Sequence, residues 1–167
     1  MNSKAIFLIG MMGSGKSSLA VALANALKVP VYDTDLEIEK LTGYSVSELF
    51  SEFGEAYFRE QEKALIEKLP EQAAVVACGG GLPCNGELMD TLLQRGSVIY
   101  LSVPSEILYD RIKGSKDRPL LQDFNSFDLL LEKRKEVYKQ ANYIIDAQQT
   151  PSALLQDCLT FLNKDLS

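Results

Sequence analysis

Gly10-Met11-Met12-Gly13-Ser14-Gly15-Lys16-Ser17 decides the fold of this chain, because it fits the phosphate-binding pattern G-x-x-x-x-G-K-[ST] in the right surroundings. The residues before it, Ala5-Ile6-Phe7-Leu8-Ile9, form an unbroken apolar run of the kind a strand buried on both faces requires. The residues after it, 18–27, carry leucine, alanine and valine as a helix would. Glycines let the backbone curl until successive N–H groups face one phosphate chain. The following helix aims the positive end of its dipole at the same anion. In such a loop Gly13, Ser14, Gly15 and Ser18 would cradle the phosphates, Lys16 would reach the β- and γ-phosphates, and Ser17 would ligate Mg2+. A glycine-rich turn that matched by chance would lack the strand and the helix, so the stretch reads as a nucleoside triphosphate site.

Outward from the loop, strands and helices alternate. Residues 30–33, 73–77, 97–101 and 143–146 read as four further short strands. Helices are expected over 36–41, 55–69, 88–93, 104–112 and 127–141. Ser45-Val46-Ser47-Glu48 is a capping box opening another short helix toward Phe53, Gly54 breaks that pattern, and Thr150-Pro151 opens the last helix with Thr as cap and Pro in first position. Strand–helix alternation means a parallel sheet covered on both faces. The expected architecture is α/β: a parallel five-stranded sheet, helices on both faces, and a mobile lid over 113–125, where the sequence is polar and irregular.

Composition bounds the rest. A chain of 167 residues suits one domain spanning 1–167 with a core that needs no staples. No apolar run reaches the ~20 residues of a membrane span, and the amino-terminal apolar stretch ends at the phosphate loop without a small-residue cleavage site, so it reads as a strand. Cys78, Cys84 and Cys158 form no C-x-x-C pair, which suggests neither a disulfide framework nor a zinc site and points to a reducing cytoplasm. A net charge of −6 argues against nucleic acid as a partner. The charge is uneven, however: residues 111–139 hold eight Lys/Arg against five Asp/Glu. A solvated face and a lid over phosphates both explain that excess.

Four further features bear chemistry. Asp33 ends the second strand, at the edge where ligands bind in parallel sheets, and is the candidate to hold Mg2+ through water. Asp35, two residues on, is placed to orient an acceptor hydroxyl or take its proton, or else to cap the following helix. With no histidine in the chain, the commonest general base is absent. Gly79-Gly80-Gly81 follows a strand and allows close approach of backbone to a ligand, or is a tight turn. Arg59 and Glu62, three apart on one helical face, pair structurally or make a rigid carboxylate clamp.

Together, the phosphate loop, Asp33-Thr34-Asp35, Phe58-Arg59-x-x-Glu62, the glycine triplet, Arg118-Pro119-Leu120-Leu121 and Arg134-x-x-x-Tyr138 resemble the shikimate kinase family, in order and over nearly the whole chain. The resemblance implies transfer of the ATP γ-phosphoryl group to the 3-hydroxyl of shikimate, in the route to chorismate and the aromatic amino acids. It implies that Asp35, Arg59, Gly80, Gly81 and Arg134 bind shikimate, with a shikimate-binding segment at about 33–61, and that Arg59 and Arg134 grip the carboxylate. Arg118 would close over the phosphates from the lid, with Lys16 and Asp35 the other catalytic residues. Arg111, Gln149 and Pro151 would pack around adenine, and Tyr138 would pack without reacting. Small-molecule substrates, Mg2+ as cofactor, a monomer and no membrane partner complete the expectation. Two rivals share the loop: a gluconate or nucleoside monophosphate kinase of the same architecture, and a nucleotide switch without an acceptor. A nucleotide acceptor would need a base-reading pocket, and a switch has no use for a carboxylate clamp.

Overall fold

The computed structural model describes residues 4–114 and 123–164. Its five strands are β1 (Ala5–Ile9), β2 (Val31–Asp33), β3 (Val75–Ala77), β4 (Gly96–Ser102) and β5 (Tyr143–Asp146). They form one sheet in the order β2-β3-β1-β4-β5, with every neighbouring pair parallel. Successive side chains of a strand point to opposite faces, and all five residues of β1 and all three of β3 are buried, so helices cover the sheet on both sides. Burying Ile6, Phe7, Leu8 and Ile9 contributes roughly 1.5–3 kcal/mol each, which firmly anchors the strand that leads into the phosphate loop. The outer strands β2 and β5 are partly exposed.

The helices are α1 (Lys16–Leu27), α2 (Thr34–Thr42), the single turn α3 (Val46–Glu48), α4 (Gly54–Lys68), α5 (Leu88–Arg95), α6 (Ser105–Ile112), α7 (Phe124–Tyr138) and α8 (Pro151–Lys164). Helix α1 packs on β3 and α8, α5 on β4, and α2 on α4. The capping box forms as expected: Ser45 Oγ accepts from Glu48 N, and Glu48 accepts from Ser45 N. Between α3 and α4 the chain widens into a π-helical turn, Leu49–Phe53, which Gly54 ends at φ +83°.

Several boundaries differ from the sequence expectation, each for a local reason. Helix α2 starts at Thr34, because Asp33 caps it by accepting from Asp35 N and Leu36 N. Pro104 stands just before α6 as its cap residue, outside the first turn. Helix α7 begins at Phe124, three residues earlier than its apolar spacing suggests, because Asp123 caps it through Ser126 N. The expected lid, 113–125, therefore gives up its last residues to α7, and 115–122 lie outside the described residues. Strands β2 and β3 are shorter than expected, starting at Val31 and Val75.

Parallel pairing puts the carboxyl ends of all five strands at one edge. The phosphate loop, Asp33 to Asp35, the glycine triplet and residues 146–150 all leave from that edge. The strand order turns about β1, and ligands bind at such a turning point in open parallel sheets.

Candidate active site

The nucleotide side is built mainly from backbone. Gly10, Gly13 and Gly15 all have positive φ, and a side chain at Gly13 would also strike Ile112 of α6 at 2.9 Å. Ser14 is buried in the turn. Lys16 Nζ folds back over the loop and donates to Gly10 O at 2.8 Å and Met11 O at 2.9 Å. Helix α6 leans on the same turn, with Arg111 Nη1 donating to Gly13 O at 2.9 Å. Ser18 is exposed on the first turn of α1. Beyond β5, Gln149 Nε2 is engaged by Asp146 O and Asp157 Oδ2, and Pro151 is the first residue of α8.

Asp33 connects this side to the next. Its Oδ2 accepts from Ser17 Oγ at 2.6 Å while its Oδ1 caps α2. Asp33 thus does the capping that the sequence left open for Asp35. Asp35 sits inside the first turn of α2, beside the triplet: a Cβ on Gly79 would lie 2.5 Å from Asp35 Oδ1.

The side facing α4 and α7 is built mainly from side chains. A Cβ on any glycine of the triplet would crowd a charged side chain, and none of the three has positive φ. A Cβ on Gly80 would lie 3.1 Å from Arg134 Nη1, and one on Gly81 would lie 2.5 Å from Arg59 Nη2. Asp35, Arg59 and Arg134 therefore converge on the triplet from α2, α4 and α7. An open cleft of about 240 Å³ between α4 and α7 is lined by Glu55, Arg59, Gly81, Cys84, Lys133 and Arg134, among others. Three cations in so small a space suit a small anionic ligand.

Arg59 is held tightly. Its Nη1 donates to Glu62 Oε2 at 2.8 Å, and its guanidinium lies 5.9 and 5.5 Å from the ring centres of Phe50 and Phe58. The second acid, Glu55, is 67% exposed, and an exposed pair of that kind contributes about 0–1 kcal/mol. Glu62 is fully buried, and breaking such a pair from one side costs about 3–5 kcal/mol, so Glu62 is the partner that matters. Burial works against the charge on Arg59, but Glu62 and then Glu55 outweigh it and hold the guanidinium above its ordinary value. Burial lifts the Glu62 carboxyl above its ordinary value; Arg59 pulls it back only in part, and Asp35 adds to the rise. Among the described residues Glu62 Oε1 meets no donor.

Sequence reasoning missed several supports. Asn85 Nδ2 donates to Arg59 O and to Glu62 Oε2, locking α4 to the chain beyond the triplet. Thr34, fully buried, accepts from Gly79 N at 2.8 Å. Lys133 lines the cleft next to Arg134. No local pattern marks Asn85 or Thr34, since each acts across the fold; Lys133 was legible only as one charge in a basic run. Cys78 is buried before the triplet, and burial pushes its thiol well up, so it stays protonated. Arg118 lies outside the described residues.

A parallel sheet in this order, with a phosphate loop at its turning point and a cationic cleft beside it, defines a P-loop small-molecule kinase. The shikimate kinase family model matches residues 12–163, and the chain belongs to that family. It is 40% identical to the shikimate kinase of Sulfurihydrogenibium sp., over 96% of this chain and 99% of that one. It superposes on the shikimate kinase from Acinetobacter baumannii in complex with shikimate with a TM-score of 0.92, at 34% identity, covering 98% and 94% of the two chains. A gluconokinase from Sinorhizobium meliloti, TM-score 0.66 at 18% identity over 97% and 93%, shares the fold.

Proposed function

We propose that this protein transfers the γ-phosphoryl group of ATP to the 3-hydroxyl of shikimate, giving shikimate 3-phosphate and ADP. One observation carries the reading. The backbone at Gly80 is where both halves of the site meet: a Cβ there would lie 3.5 Å from Gly10 O and 3.6 Å from Met12 N of the phosphate loop, and 3.1 Å from Arg134. An anion held by Arg59 and Arg134 is thereby brought against the phosphate loop, and a nucleotide switch would have no use for that clamp.

Phosphoryl transfer needs mainly in-line positioning and positive charge around a loose transition state. The acceptor oxygen forms its bond to γ-phosphorus as the bond to the β,γ-bridging oxygen breaks. Arg59 and Arg134 fix the shikimate carboxylate, Gly80 and Gly81 offer backbone N–H groups, and Asp35 receives the hydrogen bond of the acceptor hydroxyl. Gly13, Ser14, Gly15 and Ser18 wrap the phosphates. Lys16 exchanges its loop carbonyls for phosphate oxygens, Arg118 adds charge from the lid, and Arg111, Gln149 and Pro151 flank adenine. Closure over the site would keep water from wasting ATP.

Ser17 Oγ and Asp33 Oδ2, 2.6 Å apart, are two hard oxygen donors, and the described residues hold no cluster of three or more metal-ligating side chains. That set fits Mg2+, which takes few protein ligands and completes its shell with water and phosphate; Ser17 would ligate it and Asp33 would hold it through water. When bound, Mg2+ neutralises charge on the β- and γ-oxygens.

We further infer a monomer, a single domain over 1–167, and work in the cytoplasm with no nucleic-acid or membrane partner. The three free cysteines support a reducing compartment, and the net charge of −6 disfavours nucleic acid; no helix among the described residues is long and apolar enough to cross a membrane. The test of the main reading is ADP release with ATP and Mg2+, with and without shikimate, with gluconate and nucleoside monophosphates as controls. Release that depends on shikimate, with a 3-phosphate product by phosphorus NMR, is expected. Turnover with another acceptor, or with none, overturns the roles given to Arg59 and Arg134.

A further inference from the structure

Tyr138 lies one helical turn beyond Arg134, on the same face of α7, and is fully buried. Its ring packs on Tyr100 with centroids 5.0 Å apart. Its hydroxyl donates to Gly80 O at 2.6 Å. Met11 of the phosphate loop lies between the two α7 side chains: its Sδ accepts from Arg134 Nη1 at 3.4 Å and lies 4.0 Å from Tyr138 Oη.

The half-buried triplet's backbone groups can be accounted for one by one. Gly79 N donates to Thr34 Oγ1, Gly79 O accepts from Leu82 N, and Gly81 O accepts from Cys84 N. Gly80 O is taken by Tyr138. All three carbonyls are thus engaged by the protein. Among the described residues, the N–H groups of Gly80 and Gly81 are the triplet's only unengaged groups. The triplet therefore presents donors and no acceptors to a ligand. A trans peptide places C=O and the next N–H on opposite sides, so a carbonyl fixed toward Tyr138 turns the Gly81 N–H away from it; Gly81 lines the cleft.

We propose that Tyr138 is a positioning residue for the acceptor: its hydroxyl locks the Gly80–Gly81 peptide in the orientation that offers an N–H, and not a carbonyl oxygen, to an anionic substrate. Glycine on both sides of a peptide leaves it unusually free to turn over. A turned peptide would set a carbonyl oxygen against a carboxylate that Arg59 and Arg134 hold. Burial also pushes the Tyr138 phenol up, so it remains a donor across the working pH range. The inference rests on reading this cleft as the shikimate site.

The test is Tyr138→Phe, which removes one oxygen and keeps the ring. The KM for shikimate is expected to rise about 5- to 10-fold, the scale of one lost hydrogen bond, with kcat within about 3-fold and the KM for ATP unchanged. An unchanged shikimate KM, or equal rises for both substrates, overturns the proposal. A second measurement needs no variant. In 15N-labelled wild-type protein, shikimate should shift the amide protons of Gly80 and Gly81 downfield and leave that of Gly79 nearly still. Unmoved Gly80 and Gly81 amides overturn the proposal even if Tyr138→Phe does not fold. If wild type shows no shikimate-dependent ADP release, the functional reading itself fails; if it does and Tyr138→Phe matches it, only the role of Tyr138 falls.

Discussion

The two halves of this site are made of different material. The phosphate loop is eight consecutive residues whose chemistry is mostly main chain, and its glycines are there for positive φ. The cleft beside the glycine triplet is lined by side chains of α4 and α7, with Asp35 of α2 next to the triplet, and its glycines leave room for them. A backbone site tolerates many neighbours but no change of conformation. A side-chain site depends on distant partners that hold each group still. Substitutions should therefore separate the two halves cleanly.

The sharpest separation is Lys16→Met, expected to lower kcat roughly 10³-fold, the upper scale for one charge contact at a transition state. Shikimate affinity measured by calorimetry should stay within about 2-fold; a large loss there would mean the halves are not independent. Arg118→Ala should lower kcat by at least ~10² on the same scale, and a near-normal kcat would remove this arginine from the mechanism. Gly81→Ala tests the other half. Its methyl would push the Arg59 guanidinium aside, and losing hydrogen bonds to a charged group at about 1.5–3 kcal/mol implies a 10- to 100-fold rise in shikimate KM. The KM for ATP should not move. For Arg59→Lys, which cannot make a two-pronged carboxylate contact, about a 10-fold rise is expected; an unchanged KM refutes the clamp.

The smallest effect concerns where strain resides. Glu62 holds its proton more tightly in the native protein than its ordinary value of 4.5 would suggest. Its contribution to folding is thus fully present below that value and is lost as pH rises through the higher native pKa. Glu62→Gln should therefore gain stability relative to wild type as pH rises from acid to neutral, at roughly 2–4 °C in Tm per kcal/mol for a chain of this size. The same variant should bind shikimate less well, because a neutral amide steadies Arg59 less. A variant that follows the wild-type stability profile at every pH would mean that the buried carboxylate costs nothing.

The same contrast explains what was legible beforehand. The loop, its flanking strand and helix, the five strands and the capping box at Ser45 follow from local patterns and were read correctly. Asp35, Arg59 and the glycine triplet stand out by position and spacing, but each stays open there between a structural and a binding role; the resemblance to a family implies the binding roles, and it alone points to Arg134. Asn85, Thr34 and Tyr138 act through hydrogen bonds to Arg59, Gly79 and Gly80, contacts that exist only once helices and strands are assembled. The ends of α2 and α7 were misplaced because Asp33 and Asp123, both caps, outweighed the apolar period.

The strand order has a consequence for how the chain comes to be folded. β1 is the first of these five strands to leave the ribosome, yet its two neighbours in the sheet are β3 and β4. Pairings so far apart in sequence form late and slowly. The phosphate loop is synthesised early but lacks one of its walls until residues 96–102 have emerged, when Leu101 O comes to lie against Gly10. Nascent chains stopped before β4 should therefore be protease-sensitive and gain nothing from added ATP. Protection by nucleotide should set in only once that strand has cleared the exit tunnel.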